Sequence, residues 1–332
     1  MKKLSILFLI FAILLSQTSC SPTMHSKTGF MLDTVVTIKI YNAGESILDE
    51  AFELCKYYEK IFSKTIGESD ISRLNLSEGK PVKVSDDTIF LLKRAIYYSN
   101  LSQGKFDVTI YPVSALYDFK SENPKVPADE EIKEALKHVD YNNIVINGNE
   151  VTLKNGAQID LGGIAKGYIA DKIKEFLISK NVKSAIINLG GNVLLVGEKP
   201  KEGNFVVGVR KPFADGELIG NVHVKDVSVV GSGTYERYFK VGDTIYHHIL
   251  DVKTGKSVQN SLDCVMIIAK NSVDADALST IAFILGYEEG SALIESLPDT
   301  EAIFIFKDLS VKYTSGITTD KSQNGKIYFE LN

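Results

Sequence analysis

Between residues 184 and 269 the sequence predicts one strand after another, with no helix between them. Short runs of β-branched and apolar residues alternate with glycine-rich turns, which predicts strands near 184–189, 192–197, 204–210, 221–230, 235–240, 244–250 and 263–269. Consecutive strands pair most readily as antiparallel neighbours, whereas a parallel sheet needs helical crossovers. The chain is therefore predicted to adopt an α+β fold of mainly antiparallel sheets with flanking helices.

Apolar spacing and capping signals predict helices before and after this run of strands. The expected helices cover 46–61, 86–103, 128–138, 164–179, 273–286 and 288–296, and further strands are expected at 31–41, 143–147, 150–154, 302–306 and 326–330. The dinucleotide fingerprint GxGxxG and the phosphate loop GxxxxGK[ST] are both absent from the sequence. Any nucleotide site must therefore be built from other elements.

Composition excludes one class of partner. The 332 residues are 44% hydrophobic and 24% charged, with a formal net charge of −5. Acidic and basic residues are mixed along the chain, and no basic block or aromatic–basic stripe is present. Nucleic acid is therefore not expected as a partner.

The first 19 residues are predicted to be a signal peptide. Lys2 and Lys3 precede the apolar run Leu4–Leu15, which as a helix is about 18 Å long and too short for a bilayer core of about 30 Å. The following SQTSC indicates a lipoprotein in which Cys20 is acylated, although Gln17 stands where an aliphatic residue is usual. The alternative is an ordinary secretory peptide that is cleaved nearby.

An exported, lipid-anchored protein that faces the periplasm or the cell exterior is thus expected. Residues 20–28 are polar and are predicted to form a tether, and 29–332 to form a single domain. Cys55 and Cys264 lie in apolar patterns and are expected to be buried thiols, and a disulfide between them stays open.

Three segments carry residues suited to chemistry. In the 273–286 helix, Asp276 and Thr280 are four residues apart, so a carboxylate and a hydroxyl share one helix face. These are hard oxygen donors of the kind that Mg²⁺ prefers, although such residues early in a helix also serve as caps.

In DLGGIAKG, Asp160 precedes a glycine turn, and Lys166 lies in the first turn of the next helix. This arrangement suits an anion, and a plain strand–turn–helix junction is the alternative.

The third segment is YHHILDVKTG, in which the adjacent His247 and His248 would face opposite sides of a strand. One could face a site while the other faces solvent, and a structural histidine is the simpler alternative. Elsewhere, Asp107 and Thr109 are expected on one side of a strand start, and SDISRLN is expected to form a capped turn.

Taken together and in order, these segments resemble the FAD:protein FMN transferase family, the ApbE family, whose fold is related to the T-fold. The matching segments are MLDTVVTI, SDISRLN, GKFDVTIYP, DLGGIAKGYIADKI, INLGGNV, SGTYERYF, HHILDVKTG and ADALSTIAFILG. The resemblance implies Mg²⁺-dependent transfer of FMN from FAD to a threonine of a target redox protein, with release of AMP. It also implies that 29–332 is one flavin transferase domain and that threonine-bearing flavoprotein subunits of membrane redox complexes are its partners.

The resemblance assigns roles to individual positions. Mg²⁺ would be held by Asp276, Thr280 and the carbonyl of Gly163. His248 would be the general base, with Asp276 as the alternative. FAD would be held by Met31, Thr65, Phe106, Asp107, Thr109, Asp160, Lys166, Ile249 and Leu250.

Two positions depart from the family pattern. Thr65 stands where many members have a tyrosine that covers the flavin ring, and Val252 stands where proline is usual. A threonine cannot stack on the ring, which raises the alternative of an FAD pyrophosphatase. A lipoprotein that binds FAD without chemistry is a third possibility, and the Asp276/Thr280 pair argues against it.

Overall fold

Strands dominate the computed structural model, which describes residues 21–119, 121–322 and 325–332. The helices are α1 (Ser46–Phe62), α2 (Asp70–Asn75), α3 (Asp86–Leu101), α4 (Tyr111–Tyr117), α5 (Asp129–Leu136), α6 (Ala165–Ser179) and α7 (Ser272–Glu295). The first strands are β1 (Met24–Met31), β2 (Thr34–Tyr41), β3 (Val82–Lys83), β4 (Ile144–Asn147), β5 (Glu150–Leu153), β6 (Ser184–Leu189), β7 (Asn192–Gly197) and β8 (Phe205–Arg210). The remaining strands are β9 (Leu218–Val224), β10 (Ser228–Gly233), β11 (Tyr238–Val241), β12 (Thr244–His247), β13 (Leu262–Ala269), β14 (Thr300–Phe306), β15 (Val311–Tyr313), β16 (Ile317–Thr318) and β17 (Ile327–Leu331).

An eight-stranded sheet organises the molecule, in the order β1-β2-β6-β7-β10-β13-β14-β15. Every neighbouring pair in this sheet is antiparallel. Its two faces are covered differently. Apolar residues on one face pack with α1, α6 and α7, and those on the other face pack against a four-stranded sheet in the order β16-β17-β9-β8. The predicted α+β class, built mainly from antiparallel sheets with flanking helices, is confirmed.

Several local predictions were wrong. The tether expected over 20–28 is strand from Met24 onward, because β1 pairs with β2 from Met24↔Tyr41 to Met31↔Thr34. An edge strand whose backbone is paired on one side tolerates polar side chains on its exposed face, so its composition resembled a linker. The strand expected over 221–230 is two strands, β9 and β10, which are separated by a turn with Asp226 at φ 48°.

Two motif predictions also need correction. The capped turn expected at SDISRLN is the short helix α2, and Ser69 caps it by accepting a hydrogen bond from the Ser72 N–H. Asp107 and Thr109 lie in a turn before α4 rather than at the start of a strand. Cys55 and Cys264 are both buried and unpaired, as expected.

Helix α7 is the element on which the candidate site is built. Its backbone is broken at Gly286, where φ is 79°, close to the predicted boundary between two helices. By length and hydropathy it is the one helix of the described residues that could span a membrane. It packs here against α6, β10 and β13.

Helices α6 and α7 approach each other to backbone contact at Gly167. A Cβ atom on Gly167 would lie 2.2 Å from the carbonyl oxygen of Ser272, the first residue of α7. No side chain fits there, and the neighbour is main chain that cannot rotate away. Gly167 therefore sets the distance between the two helices.

We expect Gly167→Ala to lower the free energy of unfolding by about 1–3 kcal/mol, the usual cost of overpacking. Gly44→Ala is the matched control, because nothing lies within 4 Å of a Cβ at that position. Urea unfolding measures both variants. Equal stability of the two would contradict the close packing of α6 on α7.

Candidate active site

The contact between α6 and α7 brings the three predicted metal-binding positions together. Asp276 is buried at 5% exposure, and its Oδ2 accepts a hydrogen bond from the Gly167 N–H at 2.9 Å. A Cβ on Gly163 would lie 3.8 Å from Thr280 Oγ1. The turn Gly162–Gly163 before α6, which we call the glycine corner, therefore faces the Thr280 hydroxyl. Thr280 follows Asp276 by one turn of α7.

Two residues that the sequence did not single out complete this cluster. Ser232, in β10, places its Oγ 3.2 Å from Thr280 Oγ1 and 2.8 Å from Ser279 Oγ. A serine in a strand gives no signal of its partner across the fold. Ser232 and Ser279 are the residues that sequence reasoning missed beside Thr280.

Two lysines, Lys166 and Lys64, lie beside the same glycine turn. Lys166 Nζ lies 3.6 Å from Asp276 Oδ1 and donates to the Gly162 carbonyl at 3.2 Å. Asp160 accepts a hydrogen bond from the Gly162 N–H at 2.8 Å and forms an ion pair with Lys64. Lys64 was not predicted, because it lies 96 residues from Asp160 in the sequence. Both predicted residues, Asp160 and Lys166, thus lie at the glycine turn with Asp276.

Phe106 and Asp107 shape the wall beside Gly163. A Cβ on Gly163 would lie 3.1 Å from Phe106 Cε2, so this aromatic ring packs against the glycine corner. Asp107 Oδ1 accepts hydrogen bonds from the N–H and the hydroxyl of Thr109, both at 2.7 Å. Its Oδ2 accepts from the Tyr141 N–H at 2.9 Å. Burial raises the pKa of Asp107, and these contacts make Asp107 and Thr109 supports of the loop that presents Phe106.

The other predicted flavin positions lie in different surroundings. The side chains of Met31 and Ile249 are buried in the main core, and Leu250 is buried in a separate apolar cluster with Val113 and Ile132. Thr65 is exposed, and its hydroxyl lies 3.1 Å from Ser63 Oγ. Leu250 therefore belongs to a different apolar cluster from Met31 and Ile249, and the Thr65 hydroxyl contacts a residue of its own loop.

His247 and His248 do face different surroundings, but His247 does not face solvent. His247 is buried against Phe283, with ring centroids 5.8 Å apart, and its Nε2 lies 2.9 Å from the Val258 carbonyl. The simpler structural alternative holds for His247. Burial lowers its pKa to about 4.

His248 is partly exposed, and its main-chain N–H donates to the Arg237 carbonyl at 3.1 Å. Burial of the imidazole lowers its pKa to about 3, with further lowering from the charges of Arg237 and Lys166. Its Nδ1 is buried and has no hydrogen-bond partner among the described residues. The imidazole is therefore neutral near pH 7.

The start of α7 is held by a carboxylate from α6. Asp171 Oδ1 accepts a hydrogen bond from the Ser272 N–H, and its Oδ2 accepts from the Val273 N–H, both at 2.8 Å. Burial raises the pKa of Asp171 to about 6. Ser272 Oγ donates to Asn192 Oδ1 at 2.7 Å and accepts from Ser228 Oγ at 2.9 Å. These bonds satisfy N–H groups that a helix start leaves open, and they tie α7 to α6 and the sheet.

Comparison with known proteins shows the family to which the chain belongs. A family model described as the ApbE family matches residues 32–304. The chain belongs to the ApbE family. The curated "FAD:protein FMN transferase" of Klebsiella pneumoniae is 33% identical over 88% of this chain and 92% of its own length. The protein of the same name from Treponema pallidum is 34% identical over 88% of this chain and 87% of its own length.

Solved ApbE structures have the same fold. The crystal structure of the ApbE protein from Thermotoga maritima superposes with a TM-score of 0.83 at 32% identity, over 88% of this chain and 97% of that chain. The flavinyl transferase ApbE of Pseudomonas stutzeri gives a TM-score of 0.79 at 26% identity, over 89% and 95% of the two chains. The resemblance read from the eight sequence segments is therefore confirmed.

The buried His247 predicts how stability changes with pH. The folded pKa of His247 lies below the ordinary value of 6.5, so the unfolded chain binds a proton that the folded chain does not as pH falls below 6.5. Protonation of His247 in the unfolded chain therefore lowers the free energy of unfolding by about 2 kcal/mol between pH 7 and pH 5.

We expect His247→Gln, which keeps a donor for the Val258 carbonyl, to remove this contribution. Urea unfolding at pH 7 and pH 5 should show a smaller loss in the variant than in the parent protein. The difference between the losses of the two proteins cancels the contribution of the buried carboxyls. These include Asp171, whose raised pKa increases the free energy of unfolding as the pH falls. An equal loss in both proteins would contradict a neutral, buried His247.

Proposed function

We propose that this ApbE-family chain transfers FMN from FAD to a threonine hydroxyl of a target redox protein and releases AMP, with Mg²⁺ as the cofactor. One observation carries the proposal: contact between α6 and α7 gathers Gly163, Lys166, Asp276 and Thr280 at one corner. The names of the relatives from Klebsiella pneumoniae and Treponema pallidum support the same activity.

The donor set at this corner fits Mg²⁺. No group of three or more histidine, cysteine or acidic side chains that could hold a metal ion occurs among the described residues, so a metal site here must use other oxygens. Asp276 offers a carboxylate, Thr280 a hydroxyl and Gly163 a carbonyl, which are all hard ligands. Bound there, Mg²⁺ would neutralise charge on the phosphoryl oxygens and on the leaving phosphate.

The reaction breaks the phosphoanhydride bond of FAD and forms a phosphoester bond to the acceptor. The acceptor hydroxyl oxygen forms a bond to the phosphorus of the FMN half, and the bond from that phosphorus to the oxygen of the AMP phosphate breaks. The hydroxyl proton passes to a base, and AMP leaves with the bridging oxygen. No oxidation or reduction is involved.

The residues of the chain supply orientation and charge for this exchange. Lys166 places a cation beside the glycine turn, and α6 begins at Ala165 without a side-chain cap, so its first turn favours a phosphate. We propose that the neutral His248 imidazole accepts the hydroxyl proton, since the ring is near enough to Lys166 for that charge to lower its pKa. Asp276 is the alternative base.

The flavin is expected to lie along the wall formed by Phe106. The other predicted flavin positions would contact FAD farther from Asp276 and Thr280. Thr65 is exposed where a stacking tyrosine would cover the ring in many members. This observation favours a second candidate activity, hydrolysis of FAD to FMN and AMP, because water reaches an uncovered diphosphate more readily.

Export and membrane anchoring through acylated Cys20 form part of the proposal. Cys20 and the signal peptide 1–19 lie outside the described residues. Their support is the sequence alone: a charged start, a short apolar run and a cysteine after small polar residues. The acceptors would then be flavoprotein subunits that face the same compartment.

The test is to incubate the purified protein with FAD, Mg²⁺ and a membrane extract of the source cells, and to look for flavin fluorescence on a denaturing gel. We expect a labelled protein band, and Asp276→Asn should lower the rate of labelling by roughly 100-fold or more, because a metal ligand contributes several kcal/mol. Asp49→Asn is the control, since this exposed carboxylate lies on α1 and pairs with Lys27.

Other outcomes separate the alternatives. Release of AMP without a labelled protein would favour the pyrophosphatase. Tight binding of FAD with neither product, unchanged in Asp276→Asn, would favour a storage protein. Either result would overturn the proposed transfer.

A further inference from the structure

The eight-stranded sheet contains an incomplete pairing beside the candidate site. Strand β10 pairs with β13 along its whole length, from Ser228 to Gly233. On its other side it pairs with β7 only at Ser228 and Val229. Beyond Val229, no strand of the described residues pairs with this edge of β10.

The hydrogen-bond pattern shows which main-chain groups face the open edge. The Leu195 N–H donates to the Val227 carbonyl on the β7 side, and the Thr234 N–H donates to the Asp263 carbonyl on the β13 side, both at 2.9 Å. Main-chain groups alternate between the two sides of an antiparallel strand. Gly231 therefore directs its N–H and C=O groups toward the side where β7 has ended, and Gly231 is partly exposed. Gly233 faces the same side, but it is buried and its carbonyl accepts a hydrogen bond from the Glu236 N–H at 3.4 Å.

The open edge leads directly to the reacting groups. The residue between these two glycines is Ser232, whose Oγ lies 3.2 Å from Thr280 Oγ1. A polypeptide laid along this edge would therefore pass next to Thr280. Its alternate side chains would point toward α7, on the same side as the Ser232 hydroxyl.

An aromatic surface borders the same strand end. We define the aromatic ridge as Phe213, Tyr235 and Tyr238, in which the Phe213 ring lies 6.0 Å from Tyr235 and 5.3 Å from Tyr238. Phe213 and Tyr238 are 43% and 39% exposed. Phe213 also has φ 54°, a rare conformation for a bulky residue. The ridge is joined to the site through Tyr238, which pairs with His247 across β11 and β12.

We propose that the threonine-bearing segment of the acceptor protein binds in an extended conformation along the open edge of β10, at Gly231–Gly233, with its flanking side chains against the aromatic ridge. Strand addition supplies affinity through main-chain hydrogen bonds, and the ridge supplies apolar contact. The threonine side chain then points toward Thr280, where the hydroxyl is needed. This inference rests on the proposed transfer of FMN to a threonine.

The first experiment separates acceptor binding from FAD binding. The acceptor is the protein that becomes labelled in the extract, after purification. We expect the double variant Phe213→Ala/Tyr238→Ala to raise the KM for this acceptor about 10-fold or more, which corresponds to about 1.4 kcal/mol. The Kd for FAD and the midpoint of thermal unfolding should stay unchanged. Tyr57→Ala is the control, because Tyr57 is similarly exposed, at 49%, on α1.

The second experiment tests strand addition without changing the enzyme. Synthetic peptides that span the labelled threonine are N-methylated at one backbone nitrogen at a time, which removes one donor in each peptide. We expect transfer to fall when the peptide N–H that faces the Gly231 carbonyl is methylated, and to persist when either neighbouring N–H is methylated, because neighbouring N–H groups point away from β10.

Three outcomes would each be decisive. Failure to label any protein would overturn the proposed function itself. Labelling with an unchanged acceptor KM in the double variant, or with equal transfer to all the N-methylated peptides, would overturn the docking inference and leave the transfer in place. A higher Kd for FAD in the double variant would assign the ridge to the flavin and also overturn the docking inference.

Discussion

The contact between α6 and α7 is the constraint on which the site depends. Asp171 binds the first two N–H groups of α7, and Gly167 lets the two backbones touch. The Gly167 N–H also donates to Asp276, so one helix orients the carboxylate of the other. These contacts involve main chain, which leaves little freedom in the position of Thr280 relative to Gly163. Such rigidity suits a reaction whose rate depends on placement to within about 1 Å.

The antiparallel sheet has two roles in this arrangement. Its closed part carries α6 and α7 on one face and a second sheet on the other, which buries two apolar cores. Its incomplete part, where β10 continues beyond β7, brings Ser232 and the partly exposed main chain of Gly231 close to Thr280. The sheet thus serves both as the scaffold and, in our proposal, as the dock for the acceptor.

Much of the fold and part of the site could be predicted from the sequence. Helix and strand periodicities are local, and the spacing of Asp276 and Thr280 places them on one face without any knowledge of the tertiary structure. Lys64, Asp171 and Ser232 could not be found this way, because each gains its role from a partner far away in the chain. Asp171 resembles any polar residue in a helix until α7 is packed against it. Strand β1 was missed for a related reason, since only its pairing with β2 distinguishes it from a polar tether.

The most direct test of the account is anomalous diffraction from crystals grown with FAD and Mn²⁺, which replaces Mg²⁺ at oxygen sites and scatters strongly enough to be located. We predict a manganese peak within coordination distance of an Asp276 carboxylate oxygen, Thr280 Oγ1 and the Gly163 carbonyl, beside the diphosphate of the FAD. A bound FAD with no peak at this corner, or with its diphosphate far from the start of α6, would contradict the account.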